Sequence, residues 1–240
     1  MKKKIKNIVD KNIKAKNSSW SFGNNIATKF EKHIKQSVPF YQEGHELILK
    51  LSDFFISEHS NIYDIGCSTG NLVKKISKRH SNKKFNIYAL DIEKEMIKHA
   101  KNHSKEKNIK YLNKDFLSHK VLKCDLVICY YTAQFIKPRF RQVLFNKIFK
   151  SLNWGGALII FEKVRAKDAR FQDIITAVYN EYKEGQGFSP EEIYNKTKSL
   201  KSILEPFSSE ANKEMMLRAG FKDIMSVQKY ICFEGWLAIK

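Results

Sequence analysis

An α/β fold, with a mostly parallel seven-stranded sheet and helices on both faces, is predicted by three observations. Short apolar runs that suit strands alternate along the chain with stretches whose apolar residues recur at helical spacing. The first such run, Asn61-Ile62-Tyr63-Asp64-Ile65, ends in a glycine-punctuated loop, Gly66-Cys67-Ser68-Thr69-Gly70, that opens a helix. The last two strand-like runs follow each other almost directly, as an antiparallel closing pair does.

In chain order, the first sixteen residues are mostly Lys, Ile and Asn, so residues 1–18 are expected to be a basic, disordered N-terminus. Trp20 and Phe22 begin the ordered part. Asn24 to Gln36 reads as a helix with Ile26, Phe30 and Ile34 on one stripe, and Pro39 breaks it. A second helix, about Phe40 to Ser57, is opened by Tyr41 and carries Leu47, Ile48, Leu51, Phe54 and Phe55. Residues 19–58 thus form a helical cap placed to close over a cofactor at the strand ends.

Residues 59–240 hold the sheet. Strands are expected at Asn61 to Ile65, Lys84 to Leu90, Asn108 to Leu112, Asp125 to Tyr131 and Ala157 to Glu162, with helices from Glu93 to His103 and Arg139 to Leu152. Asn153-Trp154-Gly155-Gly156 reads as the turn into the fifth strand. A helical insertion at about 168–205, with helices at Ala169 to Glu184 and Pro190 to Leu204 joined by Gly185-Gln186-Gly187-Phe188-Ser189-Pro190, is placed to wall a pocket at the strand ends. A helix to Arg218 and strands at about Asp223 to Gln228 and Tyr230 to Ile239 finish the chain.

The glycine loop is where a ligand belongs. Gly66 and Gly70 permit positive φ or close backbone approach, and the helix after them presents unpaired N–H groups. Dinucleotide folds use this geometry, yet Ser68 stands where their fingerprint needs its middle glycine, so the approach to a pyrophosphate is missing. Asp91 ends the next strand about twenty residues beyond Gly70, where a carboxylate can accept both ribose hydroxyls. Asp115, past the third strand, can receive an exocyclic amine of adenine. An adenosine site without a phosphate site fits S-adenosylmethionine. For each carboxylate alone, a solvated strand end or helix N-cap is the plain alternative; order and spacing together favour the cofactor.

Lys+Arg 44 against Asp+Glu 25 gives a formal charge of +19, which attracts anions such as nucleic acid or membrane headgroups. The lysines are spread over every predicted helix without an Arg-rich or basic–aromatic cluster, so a dedicated nucleic-acid surface is not favoured. Cys67, Cys124, Cys129 and Cys232 form no CxxC pair and read as reduced, mostly buried thiols of a cytoplasmic protein. His99 and His103 share a helix face but lack an HExxH carboxylate, so no metal is expected. No apolar run approaches the roughly 18 residues of a membrane span, and Met1-Lys2-Lys3-Lys4 leads into no signal-peptide core.

Several stretches carry a family likeness: Ser37-Val38-Pro39-Phe40-Tyr41, Tyr63 to Ser68, Thr132-Ala133-Gln134-Phe135, Leu152 to Leu158, Glu162-Lys163, Gln186 to Ser189, Ala219-Gly220-Phe221 and Phe233 to Lys240. Through them the chain resembles class I S-adenosylmethionine-dependent methyltransferases. Among these it is most similar to the carboxy-S-adenosylmethionine synthases, enzymes of tRNA wobble-uridine modification. The resemblance implies a Rossmann-like class I methyltransferase fold, a homodimer, and cofactor contacts at Tyr41, Gly66, Cys67, Ser68, Asp91 and Asp115. Asp64, Gly70, Ile92, Phe116 and Tyr130 complete the expected cofactor set. In that family a carboxyl group passes from prephenate to the methyl of S-adenosylmethionine, and an arginine holds the product carboxylate.

Two positions depart from the family. Counted from Gly187-Phe188-Ser189, the arginine position is Thr197, and the asparagine after the fourth strand is Tyr130. A guanidinium grips a carboxylate through two charge-assisted bonds, each worth roughly 1.5–3 kcal/mol, where a threonine hydroxyl offers one neutral donor worth about 1. Lys196 and Lys198 are flexible point charges and substitute less specifically. The sequence therefore favours a methyltransferase acting on an unknown acceptor, small molecule or otherwise. Methyl transfer from a sulfonium needs mainly alignment. Tyr130, Tyr131, Gln134 and Glu162 are the candidate catalytic residues, with core tyrosines or strand-end hydrogen bonds as their plain alternatives. The absence of Asn-Pro-Pro-Tyr after the fourth strand argues against methylation of an exocyclic base nitrogen. A synthase using carboxy-S-adenosylmethionine chemistry and a catalytically silent nucleic-acid-binding module are the two alternatives.

Overall fold

The computed structural model describes residues 30–240. The basic N-terminus, Trp20, Phe22 and residues 24–29 of the first expected helix lie outside the described residues. The chain opens with α1 (Phe30–Ser37), α2 (Tyr41–Ser52), β1 (Asn61–Ile65), α3 (Asn71–Arg79), β2 (Asn86–Asp91), α4 (Lys94–Asn102), β3 (Ile109–Asn113) and β4 (Cys124–Tyr130). A 3-10 turn (Ala133–Phe135), α5 (Pro138–Ser151), β5 (Leu152–Lys163), α6 (Ala169–Gly185), α7 (Pro190–Ser199), α8 (Ser209–Ala219), β6 (Asp223–Tyr230) and β7 (Phe233–Ile239) complete it.

The sheet runs β3-β2-β1-β4-β5-β7-β6, with the first five strands parallel and β7 antiparallel to β5 and β6. Strands β1 and β4 are buried on both faces, as their Ile, Val, Leu and Cys content requires. Alternate residues then sort to the two sides. Ile62, Ile128 and Ile159 meet Ile48 of α2, Val73 and Ile76 of α3 and Ile97 of α4. Tyr63, Val127, Ile160 and Trp236 meet Leu144, Phe145 and Ile148 of α5 and Met215 and Met216 of α8. The chain leaves β1 toward β2 and β3, then crosses to β4 on the opposite side. This reversal of strand order opens a crevice at the carboxyl ends of β1 and β4.

Several boundaries differ from the sequence reading, each for a local reason. The second cap helix stops at Ser52 rather than Ser57, because Asp53, Phe54 and Phe55 donate to carbonyls three residues back in a tight turn. The helix expected to reach Leu204 stops at Ser199, where the chain turns about Leu200. The fifth strand starts at Leu152, paired with Cys124. Asn153 to Gly156 form an irregularity within that strand rather than a turn before it, since Lys240 bonds Gly155 and Gly156 on the neighbouring strand's side. The closing hairpin turns at Ile231 and Cys232, so β6 runs on to Tyr230.

The insertion also sits differently. Tyr179 of α6 donates to the Ser37 carbonyl at 2.7 Å, the Gln36 amide donates to the Gln186 carbonyl at 3.3 Å, and the Lys196 amine contacts His33. These bonds make α6 and α7 a brace behind α1. All four cysteines are buried and unbridged. Among the described residues no helix is long and apolar enough to cross a membrane.

Gly235, on β7, faces Phe161 of β5, whose ring atoms lie 2.5–2.7 Å from where a Cβ would sit. Phe161 is fully buried and has nowhere to move. Gly235→Ala is expected to destabilise the fold by about 1–3 kcal/mol, the usual range for overpacking, seen as a lower urea midpoint with an unchanged slope. An unchanged midpoint would mean that the core yields at this point.

Candidate functional site

The crevice is a cavity of about 450 Å³, within the range of small-ligand pockets. Its floor is the loop after β1. Gly66 and Cys67 donate their backbone N–H groups to the Leu90 carbonyl at 2.7 and 2.9 Å, which pins the loop against the end of β2. Gly66 adopts φ +79° and leaves no room for a Cβ, since the Thr132 hydroxyl lies 2.3 Å from that point. Ser68 and Tyr131, both non-glycine residues with φ of +50° and +58°, also line the cavity. Left-handed backbone at such residues costs roughly 1–3 kcal/mol each and is retained where function needs it.

Five carboxyl side chains line the cavity, those of Glu31, Asp64, Asp91, Glu93 and Asp115, and the three aspartates differ in their partners. Asp64, at the end of β1, is fully buried, and among the described residues its carboxyl has no hydrogen-bond partner. Burial, with the Asp91 charge second, pushes its pKa up to about 7. Asp91 is less isolated. Its Oδ2 accepts from the Ser68 N–H at 2.8 Å and its Oδ1 from the Glu93 N–H at 2.9 Å, so it ties the glycine loop to the entrance of α4. Burial still raises its pKa, against those hydrogen bonds. Asp115, also on the lining, uses Oδ1 to accept from the Leu117 N–H at 2.8 Å. Both carboxylates fill the plain role of anchoring backbone at a helix or turn entrance, and each retains lone pairs beyond those bonds.

Opposite the acids stands an aromatic wall. Tyr41 and His45, one turn apart on α2, pack against Tyr130 at the end of β4, with ring centroids 5.1 and 4.9 Å from it. Tyr131 packs on Tyr130 at 4.6 Å. The Tyr130 hydroxyl donates to the Tyr41 carbonyl at 2.7 Å. The Tyr131 hydroxyl and His45 Nε2 are buried without a partner among the described residues. Burial raises the pKa of Tyr41, Tyr130 and Tyr131 and lowers that of His45 to about 3, so the wall is uncharged at neutral pH. Glu31 of α1 closes the rim, accepting from the Thr69 hydroxyl at 3.4 Å.

Of the residues expected from sequence, Tyr41, Asp64, Gly66, Cys67, Ser68, Asp91, Ile92, Asp115, Phe116, Tyr130, Tyr131 and Gln134 line this cavity. Gly70 does not: it caps α3 at φ +75° with the Tyr111 hydroxyl 2.7 Å from its would-be Cβ, a packing role. Glu162 does not either. Its carboxyl sits beneath the 132–135 segment, accepts from the Ala133 N–H at 2.9 Å, and has its pKa pushed up to about 8 by burial, with Arg141 opposing. Gln134 faces the cavity, yet its Oε1 already accepts from the Lys163 N–H at 2.7 Å. Thr197 donates its hydroxyl to the Ile193 carbonyl within α7 at 2.8 Å, and the α6–α7 insertion contributes no lining residue. His99 and His103 stack on each other with centroids 4.1 Å apart. His45, Glu31 and Thr132 were missed by the sequence reading; the i, i+4 spacing of His45 from Tyr41 was the one available signal for it.

Residues 62–156 match a family model described as a methyltransferase domain. Carboxy-S-adenosyl-L-methionine synthase of Staphylococcus epidermidis is 34% identical over 225 residues, covering 92% of this chain and 97% of the relative. The enzyme of that name from Campylobacter jejuni is 35% identical over 223 residues, covering 92% and 94%. Among solved structures, human N-acetylserotonin methyltransferase in complex with S-adenosylmethionine superposes with a TM-score of 0.57 at 18% identity, covering 94% of this chain and 63% of that one. The methyltransferase SibL in its apo form gives 0.61 at 14%, covering 84% and 55%. These structural likenesses bear on the fold.

The Asp64 carboxyl generates a pH prediction. It ionises at about 7 when folded, whereas an unfolded Asp ionises near 4. Between those values only the folded state holds the proton, so this group makes stability fall as pH rises from about 4 to about 7, by up to a few kcal/mol. Ligand-free Asp64→Asn should lack that decline and melt above the parent protein at pH 8, with the two converging near pH 4. Parallel melting curves across the window would show that Asp64 is ionised throughout.

Proposed function

The chain belongs to the carboxy-S-adenosyl-L-methionine synthase family of methyltransferase-fold enzymes, and from that membership we propose that it binds S-adenosylmethionine in the β1–β4 crevice and transfers the methyl group to an acceptor. The cofactor supplies an activated methyl on a sulfonium. The residues present fit it. Asp91 would take the ribose hydroxyls on its remaining lone pairs, Asp115 the adenine amine, and the partnerless Asp64 carboxyl the cationic end of the molecule. Tyr41, Cys67 and Phe116 would supply apolar walls. Tyr131 and Gln134 are the polar groups nearest the wall an acceptor would share, and positioning is the chemistry asked of them.

One observation carries the choice of methyl over carboxymethyl transfer. Among the described residues no arginine lines the cavity, and the wall beside the acids is uncharged. The second reading, carboxylation of the cofactor as the relatives' names state for them, is favoured by identity that runs nearly the whole length of both chains. A cytoplasmic homodimer is part of the proposal. Phe171, Ile174 and Val178 form an exposed apolar stripe on α6 that a second copy would cover, and light scattering at twice the chain mass checks it.

Native mass spectrometry of the purified protein, before and after addition of prephenate, separates the two readings. A bound S-adenosylmethionine or S-adenosylhomocysteine and no carboxylated nucleoside is expected; a species heavier by one carbon dioxide would establish the second. Asp91→Ala should weaken binding of S-adenosylhomocysteine about 10- to 150-fold by calorimetry, the loss of hydrogen bonds to a charged acceptor. Unchanged affinity would remove Asp91 from the site.

A further inference from the structure

The aromatic wall has a construction of its own. Gly44 stands on α2 at the one place that admits the Tyr130 phenol: an ideal Cβ there would lie 2.3 Å from the Tyr130 hydroxyl and 3.1 Å from Cζ. With that space clear, the hydroxyl reaches the Tyr41 carbonyl at 2.7 Å and the ring is fixed between Tyr41, His45 and Tyr131, all within 5.1 Å centroid to centroid. Two polar atoms of this cluster, the Tyr131 hydroxyl and His45 Nε2, are buried without partners among the described residues, although both residues line the cavity. Both atoms are closed to solvent, as is the equally partnerless Trp236 Nε1 in the core beside α5 and α8, so they mark no ligand contact and the wall is read from its rings.

The charge pattern says what kind of group would rest there. Tyr41, Tyr130, Tyr131 and the neutral His45 ring all line the cavity, and aromatic π-systems attract a cation. The buried Asp64 carboxyl and Glu31 lie within electrostatic reach of Tyr41. The cations on the lining, Lys114 and Lys137, belong to the segments after β3 and before α5, while Lys75, paired with Glu46, and Lys35 act on His45 from outside the lining. A sulfonium bearing a methyl group keeps its full positive charge against these rings. A carboxymethyl sulfonium would place a carboxylate against the same faces and beside Asp64.

We propose that Tyr130, held in place by Gly44 and the Tyr41 carbonyl, is a specificity-determining residue that makes this wall a cation seat, selecting the methyl sulfonium over both the neutral thioether and the carboxymethyl zwitterion. The proposal deepens the cofactor reading above and rests on it. Cation–π attraction at a desolvated ring is worth a factor of about 2 to 30 in affinity, which sets the scale of the selection.

Calorimetric titration of the full chain with S-adenosylmethionine, S-adenosylhomocysteine and synthetic carboxy-S-adenosylmethionine tests it. The parent protein should bind S-adenosylmethionine at least about fivefold more tightly than either of the others, within the cation–π range. Tyr130→Leu should bring the ratio to the thioether close to one, while Tyr130→Phe should keep the ratio. Gly44→Ala should lower the ratio by displacing the phenol, and adding Tyr130→Phe should recover part of it. Retained S-adenosylhomocysteine binding shows in each variant that the fold and the rest of the site persist. Carboxy-S-adenosylmethionine binding as tightly as S-adenosylmethionine, or a ratio that Tyr130→Leu leaves unchanged, overturns the seat alone. Failure of all three compounds to bind overturns the cofactor reading and the seat with it.

Discussion

The site depends on the reversal of chain direction on either side of β1. Because β2 and β4 leave on opposite sides of that strand, their loops part at its carboxyl end, and no crossover helix covers the gap. Asp64 ends the strand inside that gap, surrounded by core yet facing open volume. A buried carboxyl without a hydrogen-bond partner among the described residues costs free energy, and the fold accepts that cost at a position where an apolar residue would carry none. The left-handed conformations of Ser68 and Tyr131 border the same gap. Desolvation at Asp64 and left-handed backbone at Ser68 and Tyr131 meet at one end of the central strand, while Phe40, His59, Ser202 and Ile231 take the same conformation elsewhere.

The cap and the insertion act on this crevice at different removes. Helix α1 and the start of α2 form its upper wall through Glu31, Tyr41 and His45. The α6–α7 insertion touches α1 from behind, through the Tyr179 bond to the Ser37 carbonyl and the Lys196 contact with His33. It therefore fixes where the wall stands without supplying any of it. The Glu31–Thr69 contact links the same wall to the glycine loop, so the cap is held from both its faces.

The parts of this arrangement legible in the sequence are those encoded locally. β1 shows the bounds its apolar run indicates, and Asp91 and Asp115 stand at strand ends because their spacing tracks the strand–helix repeat. What is not legible depends on which face a residue takes across elements distant in sequence. Glu162 looks like a strand-end acid, but it is turned beneath the 132–135 segment by its bond to Ala133. Gly70 shares a loop with Gly66, yet its missing Cβ makes way for Tyr111 on β3 rather than for a ligand. The insertion reads as a pocket wall and stands as a brace because both roles carry the same amphipathic pattern. The four-ring cluster brings α2 onto the end of β4, a contact no local pattern announces.

The two departures from the family pattern are consequently unequal in what they explain. Thr197 has its hydroxyl bonded within α7, and nothing in the fold of this chain turns it toward the crevice. Tyr130 stands on the crevice wall, and its accommodation is visible in a second residue: Gly44, in the first turn of α2 and poorer in helix propensity than Ala by up to roughly 1 kcal/mol, clears the space its hydroxyl occupies. A helical glycine retained against that cost, opposite a bulky phenol bonded to the backbone one turn away, marks a wall whose shape the protein maintains. The shape is that of an uncharged aromatic surface facing buried acids, and such a surface discriminates by charge. On the proposed reading, Tyr130 adds discrimination at the crevice wall to what the absence of a lining arginine already implies, whereas Thr197 contributes none.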